Sequence, residues 1–322
     1  MKRWLITGGC GFMGSHLVRR LLQREAEISL CNLDALTYAG RLENVADCAG
    51  DPRYQFIQAD VADAVAVEVA FASFRPDVVV HLAAETHVDR SITAAEVFAR
   101  TNVVGTQVLL DAARRHGVRR FVQVSTDEVY GSLGPSGRFT EESPLAPNSP
   151  YAASKAGADL LVRAAVQTHG LPAIIVRPSN NYGPQQFPEK LIPLAVRHAL
   201  AGRPIPLYGD GTQVRDWLYV EDACAGILAA AESGEAGGVY NLGGGQERSN
   251  RALLERLLDL LQRPRALITP VANRPGHDFR YAMDSSRARR ELGWEPQVAL
   301  EDGLRRTVEW YAAHPDWPAA CP

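Results

Sequence analysis

The chain has 322 residues, 46% of them apolar and 22% charged, a balance that is typical of a folded globular protein and excludes a disordered chain. Its formal net charge of −3 gives no basic surface for nucleic acid, and no apolar stretch reaches the roughly 20 residues of a membrane span. A glycine-rich segment begins at Gly8, too early for a signal peptide's apolar region and cleavage site, so we expect a cytoplasmic protein.

The first half of the chain alternates apolar runs with helical patterns. Strands are predicted over residues 3–7, 28–33, 54–59, 78–81, 120–125 and 173–177. Helices are predicted at about residues 12–24, 64–74, 94–116 and 150–168. Because the strands are almost continuously apolar, this order predicts an α/β fold with a doubly wound parallel sheet of the Rossmann type, covered by helices on both faces.

The chain changes character after Pro178, where proline and glycine become frequent, helices shorten and strands become few. We interpret residues 1–178 as an NAD-binding domain and residues 179–322 as a smaller, mixed α/β lobe that binds the substrate. Parts of residues 217–245, namely 222–231 and 239–244, are able to return to the main sheet.

A GxxGxxG pattern joins the first strand to the first helix and is formed by Gly8, Gly11 and Gly14. Glycine allows the tight turn and the close approach of the backbone to a pyrophosphate, and the helix amino terminus stabilises the phosphate charge. Asp34 follows twenty residues after Gly14, where a carboxylate accepts from ribose hydroxyls and repels a 2′-phosphate. The sequence therefore predicts NAD rather than NADP. Asp60 and Val61 are placed to meet the adenine, although a surface-turn role for Asp60 is equally open.

A first candidate catalytic segment follows the apolar run at residues 121–124 and contains Thr126, Asp127 and Glu128. An adjacent pair of carboxyl groups is commonly a solvated loop pair. This pair, however, lies at the carboxyl end of a predicted parallel strand, where the ligands of doubly wound sheets bind. The position favours a role in proton transfer.

A second candidate segment carries Tyr151 and Lys155, four residues apart at the start of a predicted helix. Ser149 is a predicted N-cap and Pro150 the first helical residue, so the phenol and the amine share one helix face. Such a pair is usually ordinary helix surface. Next to the first segment, the pair predicts that Tyr151 acts as a base, because the nearby positive charge of Lys155 favours the phenolate and depresses the pKa of Tyr151.

Cysteine and histidine spacing predicts neither disulfides nor a metal site. The five cysteines are scattered, without a CxxC pair or a cluster with histidine, which fits a reducing compartment. We expect them to be small buried residues apart from one near the carboxyl terminus. The eight histidines show no metal-ligand spacing.

Longer motifs make the chain resemble the extended short-chain dehydrogenase/reductase family, and within it the sugar-nucleotide dehydratases. The resemblance covers nearly the full length and rests on residues 33–40, 81–91, 125–131, 179–184, 187–193, 215–222 and 274–278. The Thr-Asp-Glu triplet discriminates most, since epimerases and decarboxylases of the family typically lack the adjacent Asp and Glu. At Thr86 the dehydratases usually have serine, and the hydroxyl is kept.

The resemblance implies an NAD-dependent lyase of deoxysugar biosynthesis that removes water from dTDP-glucose. It implies that Tyr151 takes the C4 hydroxyl proton as hydride passes to NAD, while Thr126 positions the C4 oxygen. Glu128 then removes the C5 proton, and a protonated Asp127 donates to the departing C6 hydroxyl. Hydride then returns to C6 and C5 is reprotonated, so NAD is regenerated in each turnover.

The resemblance also assigns contact residues. The implied cofactor contacts are Gly8, Gly11, Phe12, Met13, Gly14, Asp34, Asp60, Val61, Ala83, Ala84, Thr101, Tyr151, Lys155 and Asn180. Arg215 and Arg274 are the candidates for the diphosphate, because guanidinium forks match phosphate oxygens. The other implied substrate contacts, for most of which a packing or capping role is equally open, are Thr86, Asn180, Glu189, Lys190, Leu191, Pro206, Tyr208, Asn250 and His277.

Two further functions stay open: another sugar-nucleotide enzyme of the family (an epimerase, a decarboxylase or a UDP-glucose 4,6-dehydratase) and a catalytically silent NAD-binding sensor or scaffold. The intact acid, base, phenol and amine argue against the silent protein, which has no chemical need for all four. The resemblance implies a homodimer through the helices predicted over residues 94–116 and 150–168, whose small residues allow close approach. Packing within one chain is the alternative.

Overall fold

The computed structural model describes residues 1–317, which form one large parallel sheet, two small sheets and the helices that cover them. The strands are β1 (Lys2–Thr7), β2 (Ile28–Asp34), β3 (Tyr54–Gln58), β4 (Val78–His81), β5 (Arg120–Val124), β6 (Ala173–Pro178), β7 (Asn180–Tyr182), β8 (Ile205–Tyr208), β9 (Val214–Tyr219), β10 (Val239–Leu242), β11 (Glu247–Ser249) and β12 (Ile268–Val271). The α-helices are α1 (Phe12–Arg24), α2 (Ala64–Phe74), α3 (Val88–Thr93), α4 (Ala95–Phe98), α5 (Gly105–Arg115), α6 (Pro150–His169), α7 (Leu191–Leu200), α8 (Val220–Ser233), α9 (Asn250–Leu260), α10 (Ser286–Leu292) and α11 (Leu300–Ala313).

The large sheet has the strand order β10-β6-β5-β4-β1-β2-β3, and all its pairings are parallel. The chain proceeds outward from β1 through β2 to β3, and then returns to β4 on the other side of β1. This reversal creates a switch point between β1 and β4, and ligands of such sheets bind outside the carboxyl ends of the strands there. The predicted doubly wound fold is confirmed.

The apolar strands are explained by burial on both faces of the sheet. Consecutive residues of one strand point to opposite faces. Leu5 packs in one cluster with helices α2, α5 and α6, whereas Ile6 packs in another with α1 and α8. A further cluster joins α7, α9 and α11 behind β9 in the second half of the chain.

The helix predicted over residues 94–116 is interrupted. Ala94 has φ −140° and ψ 51°, which separates α3 from α4, and residues Ala99–Val104 form a π-helix before α5 begins. Within the π-helix, the Asn102 side chain bonds the backbone of Glu85 in both directions and donates to Ser154 Oγ at 2.8 Å. These contacts come from distant parts of the chain, so the local pattern does not encode them.

The expectation of few strands after Pro178 is wrong, since β7 to β12 all lie beyond it. These strands have only three to six residues and pair mainly in the two small sheets, β11-β9-β7 and β12-β8. Such segments are too short to show a period-two pattern, and Pro206 and Pro270 interrupt two of them. β10 lies beside β6 in the large sheet, and α8 packs on that sheet.

Cysteine burial agrees with the prediction for the described part of the chain. Cys10, Cys31, Cys48 and Cys224 are buried free thiols, and Cys321 lies outside the described residues. No helix in residues 1–317 is both long and apolar enough to span a membrane.

Candidate active site

The glycine loop lies at the switch point, between the end of β1 and the start of α1. Gly8 adopts φ +72°, and a Cβ at this position would lie 2.7 Å from the Cα of Ala83, which follows β4. A Cβ at Gly14 would lie 2.1 Å from the carbonyl oxygen of Gly8. Both positions therefore require glycine, and the α1 amino terminus packs close against β1, as a dinucleotide site needs.

Asp34 fastens this loop to the end of β2. Its carboxylate accepts hydrogen bonds from the backbone N–H of Cys10 at 2.9 Å and of Leu36 at 2.8 Å. Burial raises the pKa of Asp34, and these two hydrogen bonds oppose the increase. Each oxygen keeps a second lone pair for a ribose hydroxyl. The carboxylate thus anchors the loop in addition to its predicted role.

A cavity of about 400 Å³ extends from the glycine loop to the end of β6. Its walls include every residue predicted to contact the cofactor: Gly8, Gly11, Phe12, Met13, Gly14, Asp34, Asp60, Val61, Ala83, Ala84, Thr101, Tyr151, Lys155 and Asn180. Buried wall atoms without a hydrogen-bond partner among the described residues include the amide oxygens of Asn180 and Asn181, which therefore offer partners to a ligand. The cavity residues fit a dinucleotide.

Thr126, Asp127 and Glu128 form a tight turn at the end of β5. The turn is a 3₁₀-helix (Asp127–Tyr130) that Thr126 caps: its hydroxyl accepts from the Glu128 N–H at 3.3 Å and donates to Asp127 Oδ1 at 3.2 Å. The other carboxyl oxygen of Asp127 is buried without a hydrogen-bond partner in the described chain. The turn thus presents one buried acid and one half-buried acid to the cavity.

Both acids of the turn hold their protons more tightly than usual. Burial and, next, the neighbouring Glu128 carboxylate raise the pKa of Asp127 well above its ordinary value. Burial also raises the pKa of Glu128, but the guanidinium groups of Arg274 and Arg215 oppose this increase. Because two carboxylates so close resist joint ionisation, the protein favours a proton on Asp127.

Tyr151 and Lys155 face the same cavity from the first turns of α6. As predicted, Ser149 caps the helix, accepting from the Ala152 N–H at 3.1 Å, and Pro150 is its first residue. Lys155 is buried, and its Nζ donates to the carbonyl oxygen of Val124 at 2.7 Å. Burial lowers the pKa of Lys155 to about 8, against the opposing charge of Asp159.

The expectation that Lys155 depresses the pKa of Tyr151 is wrong, because the protein's own groups together raise this pKa. Burial and, next, the Glu128 carboxylate raise the pKa of Tyr151, and a hydrogen bond with Thr126 opposes this increase. The reason is geometric, since the ammonium is directed to a backbone carbonyl at the end of β5. The remaining source expected from the sequence is the positive charge of a nicotinamide ring.

A second cavity, of about 260 Å³, adjoins the first. It is lined by all but one of the predicted substrate contacts, namely Asn180, Glu189, Lys190, Leu191, Pro206, Tyr208, Arg215, Asn250, Arg274 and His277, whereas Thr86 lines the first cavity. Glu128, Asn180, Glu189 and Lys190 line both cavities. Glu128 therefore lies where the two cavities meet, and Asp127 lines the first cavity beside it.

The two arginines predicted for a diphosphate differ in availability. The Arg215 guanidinium is buried and donates to backbone carbonyls of Val214 at 2.8 Å and Asp278 at 3.0 Å, while it stacks over Tyr281. It thus already anchors the segment around residue 278. Arg274 makes a looser ion pair with Asp89 at 3.6 Å, and its buried Nε has no partner among residues 1–317. Arg274 is the more available of the two.

Two residues of the site were missed as individual residues in the sequence. Asp89 accepts from the Tyr208 hydroxyl at 2.8 Å and pairs with Arg274 in the second cavity. Tyr38 lines the first cavity, and its hydroxyl donates to Glu189 at 3.0 Å. Both lie in motifs that carry the family resemblance, residues 81–91 and 33–40, which was the available signal.

The chain is similar to several known proteins over nearly its whole length. The family model described as GDP-mannose 4,6 dehydratase matches residues 5–307. A dTDP-glucose 4,6-dehydratase of Neisseria gonorrhoeae is 50% identical over 331 residues, covering 96% of this chain and 95% of the relative. One of Streptomyces griseus is 53% identical over 315 residues, covering 97% and 95%. The crystal structure of DesIV, a dTDP-glucose 4,6-dehydratase from Streptomyces venezuelae with NAD bound, has a TM-score of 0.95 at 51% identity, with 98% of both chains covered.

Gly14→Ala is expected to weaken NAD binding about 10- to 100-fold, because the new Cβ would push the Gly8 carbonyl out of place and distort the glycine loop. Isothermal titration with NAD measures the change. Gly50→Ala is the matched control, since a Cβ there meets nothing within 4 Å. Equal affinity of the two variants would contradict the assignment of the loop.

Asp127→Asn is expected to raise the melting temperature at about pH 8 by roughly 2 °C or more. The folded chain raises the pKa of Asp127 above its usual 3.8, so it holds more protons than the unfolded chain above that pH. Stability from this group is therefore lost as the pH rises, and the gain in the variant shrinks toward about pH 4. Thermal unfolding across this pH range measures it, with the exposed Glu142→Gln as control. A pH-independent gain would refute the raised pKa.

Proposed function

The chain belongs to the GDP-mannose 4,6-dehydratase family, and we propose that it is a dTDP-glucose 4,6-dehydratase, which converts dTDP-glucose to dTDP-4-keto-6-deoxyglucose and water with bound NAD. The observation that carries this function is the adjacent pair Asp127–Glu128: both acids line the first cavity, and Glu128 also lines the second. The family model is described by a GDP-linked sugar, so membership of the family does not fix the nucleotide. The preference for dTDP is supported by relatives about half identical over nearly the full length, which are named dTDP-glucose 4,6-dehydratases.

The oxidation step uses the groups at the start of α6. NAD supplies the acceptor, and later the donor, of a hydride. Tyr151 removes the proton of the C4 hydroxyl, and Thr126, which lies close enough to lower the pKa of Tyr151, holds the C4 oxygen. The positive charge that would favour the phenolate is that of the oxidised nicotinamide ring. Lys155, whose ammonium donates to the Val124 carbonyl, lines the first cavity and would contact the cofactor.

The elimination step uses the acid pair. A C4 ketone acidifies the C5 hydrogen, which Glu128 removes as base; Arg274 and Arg215 keep its pKa below the value that burial alone would give. Asp127 is the acid, because burial and the adjacent carboxylate keep it protonated, and it donates to the C6 hydroxyl as water leaves. The difference in environment thus divides two adjacent carboxyl groups into a base and an acid.

The second cavity holds the nucleotide diphosphate. Arg274 is the principal diphosphate ligand, and Arg215 supports it while it anchors the residues around 278. The remaining contacts proposed for the sugar nucleotide are Thr86, Asn180, Glu189, Lys190, Leu191, Pro206, Tyr208, Asn250 and His277. Their common support is that they line the two adjoining cavities.

We also propose a cytoplasmic homodimer that pairs through α5 and α6 and the π-helix between α4 and α5. Two large apolar side chains on this surface are half exposed, Val104 at 49% and Leu160 at 53%. Covering them by a second copy would remove apolar area from water. The four buried free thiols fit a reducing compartment.

The nucleotide preference is tested with dTDP-, UDP-, GDP- and CDP-glucose as substrates. The proposed function predicts a 4-keto-6-deoxy sugar, detected by mass spectrometry as loss of one water, with the highest kcat/KM for dTDP-glucose. A higher value for UDP-glucose would favour the UDP-glucose 4,6-dehydratase. A C4 epimer without loss of water would favour an epimerase, and the absence of turnover would favour a sensor.

Glu128→Gln and Asp127→Asn are each expected to slow water loss about 10²- to 10⁴-fold while sparing C4 oxidation, because each removes one proton-transfer group of the elimination. Rapid quenching and mass spectrometry should then find the oxidised sugar nucleotide with its C6 hydroxyl retained. Glu142→Gln, an exposed acid, serves as control and should turn over normally. If dehydration continued at the normal rate in both variants, the assigned roles would be wrong.

A further inference from the structure

A buried ion pair that the mechanism does not use lies behind the catalytic residues. Asp159 on α6 is 1% exposed and Arg177 on β6 is 5% exposed. The Arg177 Nε donates to Asp159 Oδ2 at 2.9 Å. Burying two charges costs several kcal/mol per ion, and an apolar pair of similar size is often equally stable. Stability alone is therefore a poor reason for this pair.

One side of the pair faces Lys155. Asp159 is four residues beyond Lys155 and eight beyond Tyr151, so all three share one face of α6. Of the groups around Lys155, the Asp159 carboxylate is the one that opposes the lowering of the Lys155 pKa by burial. The ring of His81 on β4 lies between the hydroxyls of Thr7 and Thr106. Burial and, next, the Lys155 charge lower the pKa of His81 to about 3, so this ring is neutral.

On the turn after β5, Asp127 holds its proton, and the Glu128 charge raises the pKa of both Asp127 and Tyr151. The other acidic residues that line this cavity are Asp34, Asp60, Glu85 and Glu189, and the carboxylate that opposes the lowering of the Lys155 pKa is that of Asp159. Burial raises the pKa of Asp159 itself, but the Arg177 charge, a hydrogen bond with Ser125 and the Lys155 charge oppose this increase. Asp159 is the carboxylate that balances the charge of Lys155 from within the core.

The other side of the pair faces the catalytic turn. Arg177 Nη1 donates to the Tyr130 hydroxyl at 2.7 Å, and its guanidinium lies over the Tyr130 ring. The Tyr130 hydroxyl in turn donates to Asn241 Oδ1 on β10 at 2.8 Å. Tyr130 is the last residue of the 3₁₀-helix that begins with Asp127. The network thus joins the helix that carries the phenol and amine to the turn that carries the acids.

We propose that Asp159 and Arg177 are positioning residues for the reaction. Asp159 holds Lys155 as an ammonium against the Val124 carbonyl, and Arg177 fixes the orientation of the Asp127–Glu128 pair through Tyr130. The inference rests on the proposed roles of Lys155 and the acid pair. The first test of this inference measures NAD binding alone, so its outcome does not depend on which sugar nucleotide the protein uses.

The first experiment measures NAD affinity against pH by isothermal titration. Affinity should fall as Lys155 loses its proton, and in Asp159→Asn the midpoint of this fall should move to lower pH by about one unit or more. Arg177→Gln keeps the carboxylate, so its midpoint should not move downward. Arg163→Gln, which removes an exposed charge from the same helix, should match the unaltered protein. Unshifted midpoints in all variants would overturn the role of Asp159.

Asp159→Asn leaves Arg177 unpaired and could prevent folding. The double variant Asp159→Asn/Arg177→Gln removes both charges and keeps the test decisive. Its midpoint should be shifted downward as in the single variant, since Lys155 still lacks its anion. If the double variant binds NAD with the unaltered midpoint, the proposal fails.

The second experiment uses Tyr130→Phe, which keeps the ring stacked on Phe139 but removes the hydroxyl between Arg177 and Asn241. With the turn less firmly held, kcat for dehydration should fall about 10- to 100-fold while NAD affinity and KM stay within about twofold. A lower melting temperature with unchanged kcat would show a merely structural role and overturn the positioning by Arg177.

Discussion

The site depends on one topological constraint, the reversal of strand order between β1 and β4. Because all seven strands are parallel, their carboxyl ends share one edge, and the reversal opens that edge to a ligand. The glycine loop after β1 and the acid turn after β5 both lie there, and the start of α6 faces them across the same cavity. Short segments that are distant in sequence thus become neighbours without long loops.

Burial then decides what these neighbours do chemically. The same low-polarity surroundings raise the pKa of Asp127 and lower the pKa of Lys155, in each case favouring the neutral form. For the acid this suits the proposed elimination, because Asp127 keeps a proton that it can donate to a leaving hydroxyl. For the amine it is unfavourable, which explains the value of an anion one helical turn away. The proposed reaction therefore depends on which of the buried groups Asp127, Lys155 and Asp159 carry a charge.

Much of this arrangement could be predicted from the sequence because its strongest signals are local. Six strands of the large sheet appear as largely apolar runs, and the glycine loop and the Ser149 cap carry their own geometry in their residue types. What the sequence could not provide depends on distant contacts. The π-helix follows from the bonds of Asn102 to another loop, and the short strands after residue 178 exist only as partners of one another. Likewise, spacing placed Lys155 beside Tyr151 but did not show that its proton is directed to a backbone carbonyl.

Asp34 anchors the glycine loop and is also the residue predicted to contact the ribose, which has a consequence for any redesign of the cofactor preference. To accept the extra phosphate of NADP, the carboxylate would have to be replaced, since it repels a 2′-phosphate. That replacement would also remove the acceptor that fastens the Cys10 N–H and with it the phosphate loop. Nor can the loop compensate by changing its glycines, because side chains at Gly8 and Gly14 would collide with backbone. Discrimination between the two cofactors is therefore built into the support of the loop, and a switch of preference requires a second, uncharged acceptor at the end of β2.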